Sequence, residues 1–214
     1  MDAIDIQSME VGPLLFQTGY LTVSKIMTYH ETSPKYLLEI PNLEVRDAFF
    51  EQLTAGLTEQ GSVFTSNVFM HIRKALRVGD LQSIRTVLKS LFAAIPYQLH
   101  INTEAYYHSI FFSVMTVLGF KIDAEVPVSR GRIDAVLEQK DKVYVFEFKY
   151  VACKPDADDG EKRKLIEKAL NLGMKQINDR GYANKYKGSG KTVYLAAFAF
   201  LGKDIVEMES QVIQ

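Results

Sequence analysis

The carboxyl-terminal half of the chain predicts an α/β fold in which helices pack against a mixed β-sheet. From residue 102 onward, apolar residues repeat first at helical spacing, then in three strand-like runs, then in a second helix and a last strand. The last run, 192–200, is apolar almost throughout, as expected for a strand that is covered on both faces. This order is typical of an α/β layer structure.

The first 95 residues predict a smaller α+β region. The expected elements are extended pieces of a small β-hairpin at 14–16, 20–25 and 36–40, followed by three helices. The first helix begins after Asn42 and runs through Leu57, and the others span 67–77 and 81–92. Asn42 follows Pro41 and has a side chain suited to cap a helix. Pro96 closes this segment, so we expect one domain at 1–95 and a second at 96–214.

Each element of the second domain has its own signal. The expected bounds are a helix at 103–118, strands at 121–128, 132–138 and 143–150, a helix at 159–180 and a strand at 192–200. A polar turn, 139–142, joins the second and third strands. If that turn is a hairpin loop, the register places Asp134 directly across from Glu147.

Composition narrows the class of protein. The 214 residues are 47% hydrophobic and 24% charged, which is typical of a globular protein. The chain has no apolar run of the roughly 18 residues that a membrane span needs, and its acidic start differs from a secretory signal. The single cysteine, Cys153, cannot form an internal disulfide. We therefore expect a cytoplasmic protein without a membrane partner.

Charge is unevenly distributed along the chain. Residues 1–120 carry 8 Lys and Arg against 11 Asp and Glu, whereas residues 121–214 carry 17 against 15. Within 175–191 five basic residues face one acid, Asp179. Such a run can be a solvated face, and it would also attract a phosphate backbone.

Three ionisable residues form the pattern with the clearest chemistry. Glu147 and Lys149 share one face of their strand, and Asp134 is expected across from Glu147 with Cβ atoms about 5 Å apart. Two carboxylates this close repel unless a cation neutralises them. Mg²⁺ prefers such hard oxygen ligands. The residues alone leave a cross-strand ion-pair network open as an alternative.

These residues lie within a longer pattern that is found in a known family. The run Gly131-Arg132-Ile133-Asp134, followed by 144–149, resembles the split signature of the PD-(D/E)XK nuclease superfamily. The resemblance implies a restriction-endonuclease-like αβββαβ core, catalytic roles for Asp134, Glu147 and Lys149, and a Mg²⁺ site for which Mn²⁺ would substitute. It also implies Glu104 as a third metal ligand. Gln176 and Tyr182 match substrate-binding positions of some members, although Tyr182 lies six residues on rather than the usual four.

Almost the whole chain shows a second, narrower resemblance. Segments 15–22, 40–46 and 106–119 are similar to the carboxyl-terminal part of bacterial AAA-ATPase-like proteins that end in such a nuclease domain. This resemblance implies that residues 1–95 follow an ATPase module, and that an upstream or separate module of that kind is a partner. A homo-oligomer is left open.

The leading interpretation is a Mg²⁺-dependent endonuclease or exonuclease that acts on DNA, or alternatively on RNA. Basic and polar groups close to a scissile phosphate position the substrate. The candidates for that role are Arg130, Arg132, Lys175, Gln176, Tyr182 and Lys185. The alternative is a catalytically silent nuclease-fold module that binds nucleic acid or docks on the ATPase. A third reading assigns the function to 1–95 as a DNA reader or a protein-interaction platform.

Two other signals are rejected. The segment Gly188-Ser189-Gly190-Lys191-Thr192 has Lys185 where a nucleotide-binding P-loop needs glycine, and it is expected to join a helix to a strand rather than the reverse. The four histidines show no zinc-ligand spacing.

Overall fold

The computed structural model describes residues 11–27, 34–58, 60–128, 131–154, 156–186, 188–202 and 204–213. The chain divides into two compact units, Met1–Leu53 and Thr54–Gln214. In the ranges described, no helix combines the length and the apolar character that crossing a membrane requires.

The first unit contains a short helix, a β-hairpin and most of a second helix. Its elements are α1 (Val11–Gln17), β1 (Thr22–Met27), β2 (Lys35–Glu39) and the start of α2 (Leu43–Thr58). β1 and β2 are antiparallel, which confirms the predicted hairpin. The extended piece expected at 14–16 is wrong, because these residues lie inside α1. Pro13 is in the first turn of that helix, where its missing N–H costs no hydrogen bond.

The start of α2 follows from a single side chain. The backbone N–H of Val45 donates a hydrogen bond of 2.8 Å to Asn42 Oδ1. This contact satisfies one of the amide groups that a helix start leaves without a partner, and it confirms the predicted cap.

The second unit carries the sheet. Its elements are α3 (Ser62–Val78), α4 (Leu81–Ala94), α5 (Glu104–Val117), β3 (Ile122–Val128), β4 (Gly131–Glu138), β5 (Lys142–Tyr150), α6 (Asp159–Arg180), β6 (Thr192–Leu201) and β7 (Ile205–Ile213), with short 3-10 helices at Tyr97–Leu99 and Tyr182–Tyr186. The strand order is β3-β4-β5-β6-β7, in which β5 and β6 run parallel and the other neighbours antiparallel. The predicted order of helix, three strands, helix and strand is confirmed, and β7 is an additional edge strand.

Helices cover both faces of the central strands. On one face, α6 packs through Met174 and Ile177 against Val143 and Val145 of β5 and against the neighbouring β6. On the other face, the ring of Phe111 from α5 lies 4.9 Å from the rings of both Phe146 and Phe148. The alternation predicted for β5 is therefore present.

Helices α3 and α4 belong to the same unit as the sheet. The Tyr144 hydroxyl donates a hydrogen bond to the backbone carbonyl of Leu76 in α3, and the ring of Phe92 in α4 lies 5.3 Å from that of Phe200 in β6. The two compact units divide between residues 53 and 54. The sequence suggested a division between residues 95 and 96. The physical reason is that the aromatic face of the sheet is covered by α3 and α4 as well as by α5.

Candidate active site

The register between β4 and β5 is the one predicted from their connecting turn. Glu138 pairs with Val143, and the pairing continues in step for three more residues of each strand. Asp134 is the next residue of β4 and Glu147 the next of β5. The pairing stops before these two residues, while β5 stays paired with β6 as far as Tyr150.

The carboxylate of Asp134 lies where β4 leaves β5. Its Oδ2 accepts a hydrogen bond of 2.8 Å from the backbone N–H of Phe148. On the other side of β4, Glu125 of β3 has a left-handed backbone with a φ of 48°, and the register of β3 with β4 has no pair between Ala124 and Val126. At Asp134, β4 is therefore paired with neither β3 nor β5. The Asp134 carboxylate accepts the hydrogen bond that the N–H of Phe148 would otherwise donate to a neighbouring strand.

Glu147 is buried and is contacted by two cations. Its side chain is 1% exposed. The Nη1 atom of Arg180 lies 3.0 Å from Oε1 and 2.8 Å from Oε2, and Lys149 Nζ lies 3.2 Å from Oε1. A carboxylate removed from water is costly unless it is paired in this way.

Two effects of opposite sign act on the acidity of Glu147. Burial raises the pKa of the Glu147 carboxyl group above its ordinary value, and the negative charge of Asp134 raises it further. The positive charges of Lys149 and Arg180 lower it, but burial is the largest contribution. Burial therefore outweighs the two cations, and the Glu147 carboxyl group ionises less readily than an ordinary glutamate.

Lys149 connects the acidic groups of the site. Its Nζ lies 3.2 Å from Glu147 Oε1 and 3.4 Å from Glu104 Oε1, and it donates a hydrogen bond of 2.7 Å to the carbonyl of Phe148. The side chain is 13% exposed, whereas that of Glu104 is 46% exposed. The amine is thus fixed at the end of β5 by three acceptors.

The close approach of α6 to the sheet also depends on a glycine. A Cβ atom added at Gly173 would lie 2.8 Å from the Cβ atom of Ala197 and 3.7 Å from Cγ of Lys149. A larger side chain at this position would push the helix away from β6 and against the lysine stem.

Arg180 is the site residue that the sequence did not identify. It is the last residue of α6, and Gly181 ends the helix in the left-handed conformation with a φ of 63°. A cation is favoured at this end of a helix. The sequence showed Arg180 as one of the basic residues of 175–191, but nothing in that run distinguished it, because its partner lies 33 residues earlier.

The helices that carry Glu104 and Arg180 each contain a further buried polar group. Gln176 is on α6 between Gly173 and Arg180, and its Oε1 is buried with no hydrogen-bond partner among the described atoms. The Nε2 atom of His108, one turn after Glu104, is likewise buried without a partner in the described ranges. Its ring lies 5.5 Å from that of Phe148.

The described side chains among the remaining predicted substrate-binding residues are exposed. Arg132 is 70% exposed and forms an ion pair of 2.9 Å with Glu125. Lys175 is exposed on α6, and the exposed Lys185 places its Nζ 5.4 Å from the centre of the Tyr186 ring. Tyr182 opens the 3-10 helix after α6, but its side chain lies outside the described part of the structure, as does the whole of Arg130.

Two carboxylates of the candidate site have the oxygen ligands that a divalent cation prefers, but among the described residues a third ligand is not in place. Asp134 and Glu147 provide hard carboxylate oxygens at neighbouring positions of two strands, and both oxygens of Glu147 are already within 3.0 Å of a cationic nitrogen. Across the ranges described, no group of three His, Cys, Asp or Glu side chains forms a preformed metal cluster. Glu104, predicted as the third ligand, contacts Lys149 in this structure.

Comparisons with known proteins point to one family. Residues 102–210, about half of the chain, match the model of the PD-(D/E)XK nuclease superfamily. The chain is also 30% identical over 206 residues to an uncharacterized protein in the vnfD 5′ region of Azotobacter chroococcum mcd 1. That match covers 94% of this chain but only 37% of the relative's length. No solved structure matches the chain.

Proposed function

The chain belongs to the PD-(D/E)XK nuclease superfamily, and from this premise we propose that residues 96–214 hydrolyse phosphodiester bonds of nucleic acid with the aid of Mg²⁺. The mixed five-stranded sheet flanked by helices is consistent with the restriction-endonuclease-like fold. Members of the superfamily generally use divalent metal ions. The identity of the ion and the activity of this chain are part of the proposal.

One observation carries the proposal. Two carboxylates and an amine, those of Asp134, Glu147 and Lys149, converge where β4 and β5 diverge. Like charges at neighbouring positions of a sheet lower its stability. Such an arrangement is therefore typical of a functional site.

The residues would divide the chemistry between them. Asp134 and Glu147 would hold the cation, which supplies Lewis-acid polarisation of the phosphodiester. The Lys149 ammonium would orient the attacking water or stabilise the negative charge that develops on the phosphate oxygens. Glu104, which contacts Lys149 and is partly exposed, would hold the amine in place or contribute a carboxylate oxygen.

DNA is the preferred substrate in this proposal, and RNA is the second. The exposed Lys175 on α6 and Lys185 on the segment after it would contact the phosphate backbone. Gln176 would donate from its amide nitrogen to the substrate. Its position on α6 between Gly173 and Arg180 supports this role.

A cleavage assay tests the proposal. The purified chain is incubated with single-stranded DNA, double-stranded DNA and RNA in Mg²⁺ or Mn²⁺, beside Asp134→Asn and Lys149→Met. We expect cleavage by the unmodified chain and a loss of at least about 10²-fold in each variant, the scale of removing one group that stabilises a transition state. Glu167→Gln, an exposed acid on α6, is the matched control and should cleave normally. Equal rates in all four proteins would exclude these site assignments.

One observation favours the alternative of a catalytically silent module. Lys149 and Arg180 already neutralise Glu147, as in a structural ion-pair network. In that case the chain would bind nucleic acid or a partner without cleaving. A DNA-binding signal that is unchanged by Mn²⁺, together with no cleavage, would favour it.

A partnership with an AAA-ATPase-like module is a separate proposal. It rests on the similarity of segments 15–22 and 40–46 to proteins that carry such a module. Co-purification of this chain with the ATPase of its own organism would support it, and separate elution at micromolar concentration would oppose it. An oligomer of this chain would be detected in the same experiment.

A further inference from the structure

We propose that Arg180 and a divalent cation compete for the same two oxygens of Glu147, so that Arg180 limits how tightly the site binds its metal. This proposal rests on the proposed function, because the cation is the one that the function requires. It concerns a residue that the sequence pattern of the family did not single out.

The hydrogen-bond geometry is the first reason. Arginine and a carboxylate often form two parallel hydrogen bonds, in which each oxygen accepts from a different nitrogen. In this site a single nitrogen, Arg180 Nη1, lies between the two oxygens of Glu147, at 3.0 and 2.8 Å. A divalent cation held by Glu147 would need at least one of these oxygens. Arg180 therefore already contacts both oxygens through which Glu147 would hold a metal ion.

Charge is the second reason. Glu147 is 1% exposed, so little water is present to screen the charges that surround it. Lys149 Nζ already lies 3.2 Å from Oε1. Like charges in contact repel strongly where water is excluded. A divalent cation held by Glu147 would therefore repel the Arg180 guanidinium, which would move away when the ion binds.

The surroundings of Arg180 allow that movement. Its side chain keeps 19% exposure and extends from the last residue of α6. Beside it, a Cβ atom added at Gly131 would lie 3.3 Å from Arg180 Nε, so the glycine leaves room along the stem. We therefore expect the guanidinium to turn toward solvent when the ion binds, since the side chain is already partly exposed.

The test measures the affinity for Mn²⁺ by isothermal titration calorimetry, with no nucleic acid present. The proteins are the full chain, Arg180→Met and Arg180→Gln. Both variants remove the competing charge, and we expect each to bind Mn²⁺ about ten-fold more tightly, the scale of a coupling between two ligands. Gln is included because its amide can still donate to Glu147 without a charge.

Arg163→Met is the matched control, because it removes an arginine from the same helix. Arg163 lies 17 residues earlier, about 25 Å along the helix axis, beyond the range of unscreened charge at physiological salt. Its affinity for Mn²⁺ should equal that of the unmodified chain. Circular dichroism confirms that each variant is folded. A purely structural role for Arg180 would lower the melting temperature but leave the affinity unchanged.

The outcomes separate this proposal from the proposed function. If the folded Arg180 variants bind Mn²⁺ no more tightly than the unmodified chain, or if none of the proteins binds it, the competition is refuted. Cleavage by the unmodified chain would still support the nuclease in the first of these cases. Tighter binding by the variants in a chain that cleaves nothing would support the competition and oppose the nuclease.

Discussion

Glu147 carries the most strongly opposed interactions of any residue in the candidate site. Burial and the charge of Asp134 favour its neutral form, whereas Lys149 and Arg180 favour the carboxylate. Isolated buried charges cost several kcal/mol, so removal of either cation leaves a penalty that the fold must offset. In the proposed function, a metal ion bound at Glu147 would relieve this imbalance.

At Gly173 a single added methyl group tests the contact between α6 and the sheet. In Gly173→Ala the new Cβ would lie 2.8 Å from the Cβ atom of the fully buried Ala197. We expect a loss of about 1–3 kcal/mol in the free energy of unfolding, as for other overpacked interiors. Cleavage should fall as well, because Lys149 Cγ lies 3.7 Å from the same methyl group. Urea denaturation and the cleavage assay measure the two effects.

Gly56→Ala is the control for that variant. Gly56 is also inside a helix, and no described atom lies within 4 Å of its added Cβ. Alanine should therefore stabilise the chain by about 0.5–1 kcal/mol through its higher helix propensity. Unfolding free energies that change alike in both variants would contradict the close contact at Gly173.

The sequence could predict three residues of the site but not the fourth. Asp134, Glu147 and Lys149 lie within two adjacent strands, so alternation and a hairpin register bring them together. Arg180 reaches Glu147 only because α6 has a particular length and orientation over the sheet. Neither property is encoded in a local pattern, so the contact could not be inferred.

At the scale of elements, the predictions failed where the pattern was short or lay at an edge. Residues 14–16 are three apolar residues in a row, which fits a strand and a helix equally, and they form part of α1. β7 was not predicted, because Ile205–Ile213 contains no continuous apolar run. It is an edge strand in which polar residues interrupt the apolar ones. β6 was predicted well, since a central strand is apolar on both faces.

The start of α4 depends on one capping carboxylate. Asp80 accepts hydrogen bonds from the backbone N–H and the hydroxyl of Ser83, at 3.0 and 2.6 Å, and these bonds hold the pKa of Asp80 below its ordinary 3.8. A lowered folded-state pKa stabilises the chain above the unfolded value, and the contribution is lost as the pH falls through the folded value. Asp80→Ala should cost about 1 kcal/mol at pH 7, and less below about pH 4.

Asp80→Asn separates the cap from the charge. Asparagine keeps the acceptor for Ser83 but does not titrate, so its advantage over Asp80→Ala should not change between pH 7 and pH 3. Urea midpoints at both pH values measure the difference. A pH-dependent advantage for asparagine would contradict the assignment of the pH effect to Asp80.

At the scale of the molecule, the aromatic face of the sheet requires α3 and α4. Phe92 of α4 is fully buried and packs 5.3 Å from Phe200, and Arg85 of α4 forms an ion pair of 2.6 Å with Glu207 of β7. A chain of residues 54–214 should therefore unfold in one cooperative transition. A chain that begins at residue 96 should be loosely packed and bind a hydrophobic dye, because its aromatic residues are uncovered. A cooperative transition of 96–214 at the same temperature would instead support the boundary expected from the sequence.

The central claim is that Asp134 and Glu147 hold a divalent cation beside Lys149. The most direct measurement is diffraction from a crystal of the full chain soaked in Mn²⁺, at a wavelength where manganese scatters anomalously. The account predicts an anomalous peak within about 2.5 Å of oxygens from both carboxylates, the range of divalent metal ligation, with the Arg180 guanidinium moved away from Glu147. A soaked crystal without that peak, in which Arg180 Nη1 still lies between the two oxygens of Glu147, would contradict it.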